Sequence, residues 1–220
     1  RLKAKEELAS LLEGKDKLFV IACNKCFKEF ESVDEPDCAE FEQFAAEQGK
    51  TVTGSVKVDF LCNKVQTEKM LQDLIPEGTE HVVVISCGLG VQTVADLKKG
   101  DMPVYAAANT LNYTGHHGMA LTKKSCDACA QCYLNLTGGI CPIVDCSKSL
   151  INGQCGGAKN GKCEVDPNKD CAWEKINKKL EKQGRLSEFL AQPVQLRDYS
   201  KVNFKVINDY VKSIRESRFE

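Results

Sequence analysis

HVVVISCGLGVQTVADLKK, His81 to Lys99, decides the fold. Its opening, His81 to Cys87, is a short continuous apolar run of the kind that crosses a sheet covered on both faces. Gly88 and Gly90 break the run, and Val91 to Lys99 then repeats apolar residues at helical spacing. A strand, a glycine turn and a helix in that order form half of a parallel βαβ unit. The same grammar recurs on both sides. Upstream, the spacing predicts helices over Lys3–Leu12, Cys38–Gln48 and Val65–Ile75, alternating with strands over Leu18–Cys23 and Val52–Cys62. Downstream, PVYAAAN (Pro103–Asn109) reads as a fourth strand. Such alternation implies a parallel sheet with right-handed crossovers. The fold class expected for residues 1–120 is therefore α/β, a small Rossmann-like domain. A dinucleotide fingerprint is absent, because GxGxxG would need glycine where Thr93 stands. Gly88 and Gly90 instead let the backbone approach a ligand or cluster closely.

Composition narrows the function. Of 220 residues, 30 are basic and 31 acidic, for a net charge of −1, without the basic excess of a nucleic-acid binder. No apolar run approaches the ~20 residues that span a bilayer, so neither nucleic acid nor membrane insertion is expected. The outlier is cysteine, with 13 in the chain. An odd total leaves a thiol over in any all-disulfide scheme, and closely spaced thiols suit one inorganic centre better than separate bridges. A reducing, cytoplasmic setting is the expectation.

Eight of those cysteines fall between Ser125 and Cys171, a stretch with little periodicity and six glycines between Gly138 and Gly161. Ligation is expected to organise it in place of an ordinary apolar core. Cys126, Cys129 and Cys132 form CxxCxxC, the ferredoxin-type loop that seats a cubane, and Cys141–Pro142 supplies the remote Cys-Pro dipeptide. Cys146, Cys155, Cys163 and Cys171 complete a set of eight thiolates, enough for two [4Fe–4S] clusters. The residues thus read as an iron–sulfur cluster domain over 121–175, followed by a C-terminal helical extension over 176–220. No catalytic set accompanies the thiols. His116–His117, Asp145, Glu164, Asp166 and Asp170 read as loop or surface residues, and Trp173 either shields a cluster or anchors a helix.

In the first half, Cys23, Cys62 and Cys87 fall at the carboxyl ends of expected strands, where open α/β sheets bind ligands. With Cys26 they make four thiols, a complement for a third iron–sulfur cluster or a closed zinc site. The rival reading makes Cys62 and Cys87 small buried apolar residues. Cys38 stands outside the pattern.

The run CDACAQCYLNLTGGICPIVDCSKSLINGQCGGAKNGKCEVDPNKDCAW, Cys126–Trp173, resembles the methylenetetrahydrofolate reductase C-terminal domain family, the cysteine-rich small subunit of the acetogen-type enzyme. CNKC, VVVISCGLGVQTVA and PVYAAANTLNYTG resemble it in the same order, so the likeness covers about residues 18–190. The chain departs from the family at CNKCFKEFE (Cys23–Glu31), where another Cys and a TGGE-like turn are usual. The resemblance implies an electron-transfer subunit paired with a flavin-carrying (β/α)₈ catalytic subunit that holds FMN. Electrons from a low-potential donor would pass to that flavin, which reduces methylenetetrahydrofolate to methyltetrahydrofolate. The amphipathic tail Val206–Ile214 would dock on the partner or close over its own domain. Two other classes compete: a zinc-binding assembly module of a redox complex, and a chain that itself holds flavin or folate near Asn109 and Thr110.

Overall fold

The computed structural model describes residues 1–24, 38–71, 73–97, 101–111 and 125–202. Four strands, β1 (Lys17–Cys23), β2 (Thr51–Val58), β3 (His81–Ile85) and β4 (Val104–Ala106), form one sheet in the order β2-β1-β3-β4. All three pairings are parallel. Helices α1 (Lys5–Leu12), α2 (Cys38–Glu47), α3 (Lys64–Leu71) and α4 (Gly88–Leu97) cover the sheet. The α/β, Rossmann-like expectation holds.

Side-chain alternation along the strands divides the core between the two faces. Leu18, Val20, Ala22, Val83 and Ile85 pack with Leu8 and Leu12 of α1 and Phe41, Phe44 and Ala45 of α2. Phe19, Ile21, Val82, Val84 and Val104 point the other way, against Leu71 of α3 and Val91 and Val94 of α4. Strand order reverses between β1 and β3, so the crevice outside their carboxyl ends is where such a sheet receives ligands.

Two boundaries differ from the sequence reading, for local reasons. β2 stops at Val58 rather than Cys62, since Phe60 takes a left-handed backbone (φ 53°) that turns the chain out of the sheet. Cys62 consequently sits in the turn before α3. Conversely, α4 starts at Gly88 rather than Val91. Cys87 caps it, its carbonyl accepting from Val91 N–H at 3.1 Å and its sulfur from the amides of Gly90 and Leu89.

The cysteine-rich part carries three helices: α5 (Pro142–Asp145), α6 (Ala172–Lys182) and α7 (Leu186–Leu190). It has more apolar core than its periodicity implies. Trp173, Ile176 and Leu180 are buried, with Ile140, Leu150, Leu186 and Phe189 packed on them. These residues are scattered over 50 positions of chain, so no sequence window displays them together. The part also docks on the sheet domain. The Asn135 amide pairs with both Ala106 N–H (2.6 Å) and Ala106 C=O (3.1 Å), like an extra residue on the edge of β4. Lys179 Nζ donates to Ala95 C=O at 3.1 Å, and Arg185 lies 5.0 Å over the Tyr105 ring. No helix among the described residues is long and apolar enough to cross a membrane.

Candidate metal centres

The eight cysteines of the second half divide into two sets of four. Cys126, Cys129, Cys132 and Cys141 line one cavity, together with Gly88, Gln92 and Thr110. Cys146, Cys155, Cys163 and Cys171 line another, beside Trp173 and Glu164. The short helix α5 separates the sets, with Cys141 at its N-cap and Cys146 at its C-cap. Pro142 starts it because the missing amide hydrogen costs nothing in a first turn.

The first cavity lies where the carboxyl edge of the sheet meets the CxxCxxC loop. Ala128 (φ 48°) and Ala130 (φ 57°) hold left-handed backbone in that loop, an uncommon state for residues with a Cβ. It turns the loop tightly enough for Cys126, Cys129 and Cys132 all to line one cavity. Ala130 N–H donates to Thr110 C=O at 2.9 Å, and Cys132 N–H donates to Asn109 Oδ1 at 3.0 Å, which fasten the loop to the chain leaving β4. On the opposite wall, Gly88 N–H donates to Thr110 Oγ1 at 2.9 Å. A Cβ on Gly88 would stand 2.7 Å from Cys126 Sγ, so only glycine lets α4 approach this closely.

The second cavity is held by a knot of backbone pairs and by the buried cluster of α6. Cys163 N–H donates to Lys169 C=O at 2.9 Å, and Cys171 N–H to Gly161 C=O at 2.8 Å. Trp173, 1% exposed, donates from its indole to Leu150 C=O at 2.9 Å and packs tilted against Phe189, ring centroids 5.4 Å apart. It both anchors α6 and walls the cavity.

Electrostatics differ between the cavities. Burial pushes the Cys132 and Cys141 thiols up to about 12. The Leu134 amide and the Lys3 charge oppose this at Cys132, and the Val144 and Ile143 amides oppose it at Cys141. Burial also raises Cys129, against the Gln131 amide. In the second cavity Cys163 goes the other way, to about 7, through a hydrogen bond from Ser147 and the amides of Asp166 and Val165. Amides two or three residues downstream thus point at sulfur repeatedly, an arrangement that stabilises thiolate and tunes bound metal.

Thiol-only donor sets are the chemistry of iron–sulfur clusters and of closed zinc sites. Both cavities present one, and by donor chemistry they fit either group. Each leaves about 20 Å³ open, room for roughly one water. Among the described residues, no three His, Cys, Asp or Glu side chains converge as ligands on a single ion.

Cys23, Cys62 and Cys87 stay near the carboxyl edge, as their strand positions imply, but the structure gives them other packing. Cys23 and Cys62 are buried, and Cys23 belongs to the apolar cluster with Val58 and Leu61. Burial pushes Cys87 up to about 12, although part of the residue reaches the surface; its electrostatic neighbours include both Cys23 and Cys126. Cys26, His116–His117 and the Val206–Ile214 tail lie outside the described residues. Cys38 is buried against the α1–α2 face of the sheet. No disulfide joins the twelve described cysteines. Sequence reasoning missed α5, which the Cys-Pro dipeptide signals as a helix start. It also missed Lys3, buried beside the first cavity, for which no local pattern gives a sign.

Fold and site together define a cysteine-rich α/β protein with two four-thiol cavities at and beyond the carboxyl edge of its sheet. Residues 105–200, which contain all eight of those cysteines, match the family model described as Methylene-tetrahydrofolate reductase C terminal. The match relates the chain to methylenetetrahydrofolate reductases, which are oxidoreductases, and agrees with the resemblance carried by the cysteine pattern. No curated protein and no solved structure matches the chain.

Proposed function

We propose that this chain is the iron–sulfur electron-transfer subunit of a methylenetetrahydrofolate reductase. One observation carries the reading: eight thiols from a single glycine-rich segment sort into two cavities of four. Four thiolates are the ligand complement of one [4Fe–4S] cluster. Cys126, Cys129, Cys132 and Cys141 would hold one cluster, and Cys146, Cys155, Cys163 and Cys171 the other. When bound, such a cluster supplies one-electron transfer. The chain's own residues would hold the thiolates and aim amides at the sulfurs of Cys129, Cys132, Cys141 and Cys163; α4 covers the first set and Trp173 one side of the second, where Cys155 is exposed. In this reading the substrate chemistry belongs to a partner, a flavin-containing catalytic subunit that receives electrons originating in a low-potential donor. A third centre using Cys23, Cys26, Cys62 and Cys87, iron–sulfur or zinc, stays part of the proposal at lower rank, because Cys23 is packed as core.

Metal and sulfide analysis of anaerobically purified protein tests this. Two clusters give about eight iron and eight sulfide per chain and a brown colour that dithionite bleaches. A colourless protein with about two zinc and no sulfide refutes the electron-transfer reading in favour of a zinc-stabilised assembly module.

A further inference from the structure

Lys3 is the least expected residue near the first cavity. Lysine is almost never fully buried unless paired, yet this side chain is 2% exposed. The segment that carries it runs antiparallel beside the chain leaving β4, with Leu2 bridged to Ala108 and Lys3 N–H donating to Ala107 C=O at 2.9 Å. This pairing aims the side chain inward. Its ammonium has two partners: Glu7 Oε1 at 2.5 Å and Asn109 Oδ1 at 2.9 Å. The same Asn109 oxygen accepts Cys132 N–H at 3.0 Å. The two bonds share one atom, so the ammonium stands within about 6 Å of the Cys132 amide.

Burying an ammonium costs several kcal/mol unless the site repays it. Glu7, half exposed, is a weak return by itself, since water screens it. A centre ligated by four thiolates is a second, larger negative charge on the other side of Asn109. The second cavity has no buried cation of this kind among the described residues. Its nearest lysine, Lys148, pairs with Glu164 at the surface.

We infer that Lys3, held through Asn109, is the fixed positive charge that sets the reduction potential of the centre in the first cavity. The inference rests on the cluster reading above. An electron arriving from the low-potential donor adds one negative charge there, and it leaves again to the partner's flavin. The Lys3 ammonium favours the reduced state by proximity and so raises the potential of the first centre above the value the same site would have without it. Lys3 touches no reacting atom and is a positioning residue. Glu7 partly cancels it, so the pair acts as a graded setting rather than a full unit charge.

The test is an anaerobic redox titration, followed by electron paramagnetic resonance, of the full chain after iron–sulfur reconstitution. Lys3→Met should lower the midpoint of one centre and leave the other in place, with iron content unchanged. Lys3→Arg should stay near the parent value. Glu7→Gln, a surface change that spares the fold, should shift the same midpoint upward. Opposite signs from Lys3→Met and Glu7→Gln are the signature that a purely structural pair would not give. If Lys3→Met fails to fold, Glu7→Gln alone decides. Unmoved midpoints, or equal movement of both centres, overturn the inference while leaving the clusters established by iron count. A parent chain that takes up no iron overturns the cluster reading and this inference with it.

Discussion

Gly88→Ala puts the smallest possible obstacle where α4 meets the CxxCxxC loop. The added Cβ would lie 2.7 Å from Cys126 Sγ and 3.3 Å from Cys126 Cβ. Separations below 3.0 Å are not sustained, so one of two things must give. If the thiol rotates away, an off-rotamer side chain costs about 0.5–1.5 kcal/mol. If the helix retreats, overpacking costs about 1–3 kcal/mol, and the Gly88–Thr110 hydrogen bond at 2.9 Å goes with it. Either route withdraws Cys126 from the first cavity. Bound iron should therefore fall from about eight to about four per chain, with the second centre intact. Denaturant unfolding of the metal-free protein gives the steric part. In a Cys126→Ala background the same glycine substitution should cost less by about 0.5–1.5 kcal/mol, because the 2.7 Å contact with Sγ is gone and only the 3.3 Å approach to the Cβ of residue 126 remains. Full iron retention with unchanged stability in Gly88→Ala would show that α4 and Cys126 do not meet as described.

Cys141→Ser and Cys146→Ser should each remove about half the iron, though only α5 separates them; loss of both centres from either single variant would refute the partition. In the metal-free protein, Cys87, Cys132 and Cys141 keep their protons up to about pH 12, whereas an unfolded chain ionises its thiols near the ordinary value of 9. The native state then binds more protons than the unfolded one between these limits, so stability should fall as pH rises from 9 to 12; a denaturation midpoint flat across that window would contradict the burial. Trp173→Ala removes a fully buried indole and orphans Leu150 C=O, and should cost about 3–5 kcal/mol by denaturant unfolding; a cost below 1 would mean that the α6 cluster is not an anchor. Complete metal removal should speed amide hydrogen exchange over residues 146–170 while β1 and β3 stay protected. Equal protection in both states would mean that the small apolar cluster, not ligation, holds that loop.

The α/β architecture was legible because local patterns carry it. The run from His81 to Cys87 and the alternation around it depend on neighbours in sequence, and the three parallel pairings are what that alternation implies; the order β2-β1-β3-β4 is set by the fold. The misplaced boundaries came from single backbone events, a left-handed Phe60 and a thiol cap at Cys87, which periodicity does not register. The apolar cluster around Trp173 was hidden for a different reason. Its members come from separate turns and helices and meet only in space.

The sequence by itself determined the donor set: eight thiols in one segment, their glycine-rich setting, and the family pattern that residues 105–200 match. Tertiary structure alone decided how those thiols divide. Cys141 and Cys146 are close in the chain, yet opposite ends of α5 deliver them to different cavities. It also decided that Gly88, 38 residues before Cys126 in sequence, walls the first cavity, and that Lys3, 123 residues before it, reaches the Cys132 amide through Asn109. Spacing records which residues can ligate. Which of them share a centre, and which charge faces it, depends on contacts between remote segments that only the packed sheet and its loops bring together.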